Sequence, residues 1–176
     1  MSPPSLEGLV GNPRSPTPRV SYRTPPSPCD LARVPAVPRV VLDSNVVVDG
    51  LLRRRNASSH IMRSLFEGKL VAVVTLEVLA EYQMALRSRS VREAADRVGL
   101  SQEIISLYAE AVGEVVELVD AGIRFRCADP DDEKFTAAST GGHADFIVTA
   151  DAALLDLGDV LEARVVTPDQ FVETIE

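Results

Sequence analysis

The residues that bind soft metals or act as nucleophiles are scarce in this chain. Its 176 residues include two cysteines, Cys29 and Cys127. They lie far apart and outside any CxxC spacing, which excludes a disulfide framework and a structural zinc site, and a reduced compartment is expected. The two histidines, His60 and His143, are isolated, so there is no imidazole ligand set. The lysines are Lys69, which precedes a strand pattern, and Lys134, which lies within a helical one. A receiver-type phosphoacceptor module also gathers aspartates at strand ends, but it needs a lysine after a late strand, and this chain has none there. No stretch approaches the roughly 18–20 uninterrupted apolar residues of a membrane span, and the N-terminus lacks the apolar block of a signal peptide. A cytoplasmic location without membrane contact is expected. Positive charge is also short: the net charge is -8. A general nucleic-acid binder is usually basic, so any nucleic-acid contact here must be local.

Proline is abundant, but only at one end. Ten of the 12 prolines fall in residues 1–38, in stretches such as "TPRVSYRTPPSPCD". Such a segment buries too little apolar surface to offset the entropy of ordering, so residues 1–38 read as a disordered extension and 39–176 as the folded domain.

From Arg39 onward, short valine- and isoleucine-rich strands alternate with helical patterns. The strands are expected at 39–42, 71–74, 115–119, 146–149 and 164–166. Helical spacing marks residues 57–67, and Thr75 caps a helix that runs to about Arg87. Residues 91–98 end at Gly99, and Ser101 opens a longer helix. Asp129-Pro130 has the cap-then-proline signature of a helix start, and that helix runs to the glycines at 141–142. Thr167 and Gln170 have capping-box spacing. Strand and helix in alternation predict an α/β fold with a mostly parallel sheet covered on both faces.

In such sheets the site forms at the carboxyl ends of the strands. Asp43 ends the first strand in "RVVLDSN", and Asp151 follows "FIVT" by two residues. Glu77 and Glu81 share a face of the second helix, Asp132 lies three residues into the helix opened at Asp129, and Asp145 directly precedes "FIVT". Singly, each has a bland explanation as a helix cap, an exposed face or a strand start. Together they suggest one acidic centre. Converging carboxylates repel unless a cation neutralises them. An all-oxygen donor set suits Mg²⁺ or Mn²⁺, and such a site supports phosphoryl displacement.

The segments "VVLDSNVVV", "TLEVLAEY", "CADPDDEKFTAA", "GGHADFIVTAD" and "RVVTPDQFVE", in this order, resemble the PIN-domain family, especially the VapC-like toxins of bacterial toxin–antitoxin systems. The resemblance spans residue 39 to the C-terminus. It implies a three-layer α/β/α sandwich with a mostly parallel sheet of four or five strands. It also implies a Mg²⁺- or Mn²⁺-dependent endoribonuclease whose four acidic positions fall on Asp43, Glu81, Asp132 and Asp151, selecting Glu81 over Glu77. Asn45, Thr149 and Asp145 match supporting positions. A cognate antitoxin and a homodimer are the implied protein partners, and RNA the substrate. Three positions depart from the pattern. Ser44 stands where threonine is commoner, a mild change that keeps the hydroxyl. Ala150 and Ala153 stand where relatives often have glycine and a further acid, which leaves open a weakened second metal site or a module that binds RNA or protein without cutting. Arg53, Arg54 and Arg55, or Arg87, Arg89 and Arg92, are the candidate phosphate contacts.

Overall fold

The computed structural model describes residues 37–175. Of the extension expected to be disordered, all but Val37 and Pro38 lies outside them. Five strands form one all-parallel sheet: β1 (Arg39–Leu42), β2 (Val71–Val74), β3 (Glu117–Leu118), β4 (Phe146–Val148) and β5 (Arg164–Val166). Their spatial order is β3-β2-β1-β4-β5. In β1, Val40, Val41 and Leu42 are all fully buried. Successive strand residues point to opposite faces, so both faces are covered and the architecture has three layers.

Helices α1 (Ser44–Leu52) and α2 (Ala57–Phe66) separate β1 from β2. Helices α3 (Leu76–Leu86), α4 (Arg89–Arg97) and α5 (Gln102–Val115) separate β2 from β3, and α6 (Glu133–Gly142) precedes β4. Helix α7 (Ala152–Leu157) links β4 to β5, and α8 (Pro168–Ile175) follows β5. Helix α6 lies against β1, β2 and β4, while α1 packs on α2 and α3, and α2 on α8. The capping box read from Thr167 and Gln170 is present: Gln170 N donates to Thr167 Oγ1 at 3.2 Å and Thr167 N to Gln170 Oε1 at 2.9 Å.

Two elements differ from the sequence expectation, and α1 was not anticipated. Val46-Val47-Val48 lies in α1, because Asp43 caps a helix there and Val46 and Val47 are buried by packing. Strand β3 shrinks to two residues, since α5 continues through Val115. Pro130–Asp132 forms a 3₁₀ turn ahead of α6, so the α-helix proper begins at Glu133.

The chain lays β1, β2 and β3 outward in one direction and then crosses back to place β4 on the other side of β1. The carboxyl ends of β1 and β4 therefore flank the switch point at which open parallel sheets bind ligands. The register Leu42↔Val148 brings the residues just beyond these two strands side by side. The opposite rim is fastened by Arg39, whose guanidinium donates to both oxygens of Glu117 at 3.0 and 2.8 Å and to Gly142 O at 2.9 Å.

Candidate functional site

Asp43 emerges from β1 as the N-cap of α1 and is only 3% exposed. Its Oδ1 accepts from Asn45 N at 3.1 Å and from Ser44 Oγ at 3.3 Å. Its Oδ2 accepts from the fully buried Thr149 Oγ1 at 2.6 Å. The same Thr149 oxygen accepts from Asp151 N at 2.9 Å. One hydroxyl thus donates to the first aspartate and orients the backbone of the second, using both halves of its hydrogen-bonding capacity. Asp151 in turn caps α7, accepting from Ala153 N at 2.7 Å.

Asp132 closes the 3₁₀ turn, where Asp129 Oδ1 accepts from Asp131 N at 2.9 Å. Its carboxyl is pushed up to about 6, first by burial and then by the negative charges of Asp151, Asp129 and Asp43, against the opposing effect of Lys134. That ranking ties Asp132 to both strand-end aspartates. A hydrogen bond from the buried Tyr82 to Leu42 O anchors α3 beside the end of β1. The Tyr82 phenol is pushed well above its ordinary range by burial, with Asp43 and Glu81 adding to the shift.

Glu81, one residue earlier on α3, meets Lys134 Nζ at 2.5 Å, with side-chain exposures of 25% and 16%. The contact is an ion pair by distance, but it lacks hydrogen-bond geometry. Glu81 Oε2 is a buried oxygen without a hydrogen-bond partner. Glu77, the other acid on this face, pairs with Arg124 at the surface. Cys127 sits close by, and its thiol is pushed up by burial and by Asp132, Glu133 and Asp129, which keeps it a neutral thiol.

Asp145 is not part of this cluster. It precedes β4 at the opposite rim, where its carboxylate accepts from Arg39 N at 2.8 Å and its backbone joins β1 and β5. As a parallel strand, β4 carries residues before it to the amino edge and residues after it to the carboxyl edge, so Asp145 supports the sheet. Asn45 is exposed, and its contribution to Asp43 comes from its backbone N–H. Sequence reasoning missed Lys134 and Tyr82 as neighbours of the acids. Neither spacing nor residue type marks them, because α6 and α3 meet only in the fold.

A cleft of about 620 Å³ runs from Asn45 and Ala150, beside the two strand-end aspartates, past Thr167 to Asn56 and Arg53. Arg53 is held by Asp49 at 2.8 Å, while Arg54 and Arg55 are exposed on a neighbouring groove with His60 and Arg63. The Arg87, Arg89 and Arg92 group lies beyond the last turn of α3, and Arg89 is paired with Glu93 at 2.7 Å.

The donor set is all carboxylate and hydroxyl oxygen, with Glu81 Oε2 already paired to Lys134. Those donors suit Mg²⁺ or Mn²⁺, which retain waters and reach some ligands through them. Among the described residues, no three His, Cys, Asp or Glu side chains are gathered closely enough to form a ready-made metal cage.

Asp43, Glu81, Asp132 and Asp151 come from four separate segments of the fold. Residues 39–153 match the PIN domain family, and the chain belongs to that family. It is 26% identical over 147 residues to the uncharacterized protein MJ1680 of Methanocaldococcus jannaschii, covering 78% of this chain and 92% of that one. Among solved structures it is similar to VapBC2 from Rickettsia felis, bound to a DNA fragment from its promoter. That likeness has a TM-score of 0.46 and 12% identity, over 73% of this chain and 98% of that chain.

Proposed function

We propose that this PIN domain is a Mg²⁺- or Mn²⁺-dependent endoribonuclease acting as the toxin of a toxin–antitoxin pair. The observation that carries the reading is the Asp43–Thr149–Asp151 hydrogen-bond chain at the switch point; the Asp132 carboxyl is raised first by burial and then by Asp151, Asp129 and Asp43. A divalent ion held by Asp43, Asp132 and Asp151, with Glu81 as a further ligand or orienting base, would activate water and stabilise the leaving oxygen of a phosphodiester. Thr149 fixes the orientation of Asp43, and the caps of α1 and α7 fix the backbone at both aspartates. The cleft toward Arg53, Arg54 and Arg55 would guide the RNA backbone.

The test is cleavage of mixed RNAs with Mn²⁺ and with EDTA. The expected result is EDTA-sensitive cleavage leaving 5′-phosphate and 3′-hydroxyl ends, abolished in Asp151→Ala. Cyclic-phosphate products or EDTA resistance would refute the water mechanism. If no RNA is cut with Mn²⁺ present and Asp151→Ala behaves like the parent protein, the PIN-like binding module replaces the enzyme.

The antitoxin and homodimer belong to the same proposal. Large apolar side chains stand exposed on α3, at Leu76 and Met84, and on α5, at Leu107, as partner-facing surfaces often do. Light scattering is expected to give twice the 19.0 kDa chain mass. A strictly monomeric mass at all concentrations would remove the homodimer.

A further inference from the structure

The cleft beside the strand-end aspartates runs to the start of α2, where Asn56, Ala57 and Ser58 line it. Asn56 is the N-cap of this ten-residue helix: its side chain accepts from Ser59 N at 2.9 Å and its carbonyl from His60 N at 3.1 Å. The cap leaves the N–H groups of Ala57 and Ser58 without a partner among the described residues. Free N–H groups at a helix start, at the positive end of its dipole, attract an anion, and a further donor beside them makes the site specific. Ser58 supplies that donor. It is only 4% exposed, and its hydroxyl makes no hydrogen bond among the described residues. The sealed side-chain atoms without a partner are Glu81 Oε2 and Ser139 Oγ, so Ser58 Oγ, which is neither, opens on the cleft that the residue lines. A hydroxyl so largely desolvated costs stability until an acceptor reaches it. The carboxylates of the cleft do not cancel this site. Asp49 is met by Arg53 at 2.8 Å on one oxygen and by Asn56 Nδ2 on the other. Asp169 is exposed, where water and salt screen it. Arg54 and Arg55 line the neighbouring groove with Asn56 and Ala57, so two guanidinium groups flank the same helix start.

We propose that the first turn of α2 is a phosphate site for the substrate strand: the N–H groups of Ala57 and Ser58 and the Ser58 hydroxyl bind one non-scissile phosphate while another phosphate of the same strand lies at the acidic centre. That the strand is RNA rests on the ribonuclease reading above, which this inference deepens. Such a site fixes the path of the strand along the cleft and sets a minimum length for a good substrate. It needs no metal to be filled.

The experiment is binding of a short 2′-O-methyl RNA, which resists cleavage by way of the 2′ oxygen, to the full chain in EDTA, read by fluorescence anisotropy and by amide NMR. The oligomer should shift the Ala57 and Ser58 amides saturably. Ser58→Ala should weaken binding by about 10-fold, the loss of one hydrogen bond to a charged group. Ala57→Pro keeps the backbone of a helix start but lacks the N–H, and should weaken it similarly. The same oligomer with a neutral methylphosphonate backbone should bind the parent no better than it binds Ser58→Ala. Ala57 and Ser58 amides that stay unmoved at saturating oligomer would overturn the inference, as would folded Ser58→Ala and Ala57→Pro that both bind like the parent. Saturable shifts with inorganic phosphate but none with the oligomer would overturn the assignment to a strand. If neither variant folds, the amide shifts of the parent decide alone. Failure of the ribonuclease reading looks different: with Mn²⁺ no RNA is cut, while the binding results stand and keep the phosphate site. If the parent binds no oligomer, this inference is overturned and the cleavage assay still decides the ribonuclease.

Discussion

Thr149 contributes a single buried hydroxyl that donates to Asp43 and accepts from the Asp151 backbone. Thr149→Val keeps the shape and removes both bonds, leaving a buried carboxylate oxygen without its donor. Metal-free stability should fall by about 1–3 kcal/mol in chemical denaturation. Mn²⁺ affinity should fall by about 10–100-fold, and Thr149→Ser should restore most of both. Unaltered Mn²⁺ binding in Thr149→Val would show that the bridge does not orient the aspartates. At Asp132 the sign of the pH dependence is fixed by the direction of the shift. The carboxyl goes from an ordinary 3.8 up to about 6, so the folded chain binds the proton more tightly than the unfolded chain does. The stabilisation is complete below about 3.8 and is lost as pH rises through about 6. The effect is on the order of 1 kcal/mol, because much of this group is open to solvent and screened. Denaturation midpoints of the metal-free protein between pH 4 and about 6.5 should show that decline, and Asp132→Asn should flatten it.

Helix α1 and its cap show how an element carries the site. Asp43 both closes the first turn and faces the other acids, so two substitutions separate these roles. Asp43→Asn retains a good cap and removes like-charge repulsion, so the metal-free fold should be as stable or more stable while activity is lost. Asp43→Ala removes the cap as well and should cost about 1–2 kcal/mol. If Asp43→Asn instead unfolds the metal-free domain, the residue is structural. Helix α6 depends on its small C-terminus. A Cβ at Gly141 would stand 1.9 Å from Asp120 O, and one at Gly142 would stand 2.7 Å from Val73 on β2. Gly141→Ala should therefore destabilise by about 1–3 kcal/mol in the same denaturation assay, with the loop after β3 shifting to accommodate it.

At the scale of the whole molecule, a chain of net charge -8 approaches RNA through few contacts. If Arg53, Arg54 and Arg55 supply them, binding of a short single-stranded RNA should weaken with salt at a log–log slope of about -2. Each Arg→Ala change should reduce that slope by about 0.7, with little effect on sequence preference. A steep slope unaffected by all three substitutions would move the interface elsewhere.

Composition and period determined much of this molecule. The valine-rich runs placed four of the five strands closely, because buried parallel strands are short, continuous and β-branched. The capping residues Thr75 and Thr167 marked helix starts that the structure contains, because caps are local chemistry. The aspartates at the ends of β1 and β4 were legible for the same reason, as polar residues closing apolar runs. What the tertiary structure decided is relational. Helix α1, which no expected element covered, was set by the Asp43 cap and the burial of Val46 and Val47, and β3 shrank because α5 ran on. Asp145 and Asp151, six residues apart, went to opposite rims because a strand lies between them. Glu81 was separated from Glu77 by their partners, Lys134 and Arg124, each supplied by a segment more than forty residues away. Charges meet through space, and no local pattern encodes which element will fold back to face another.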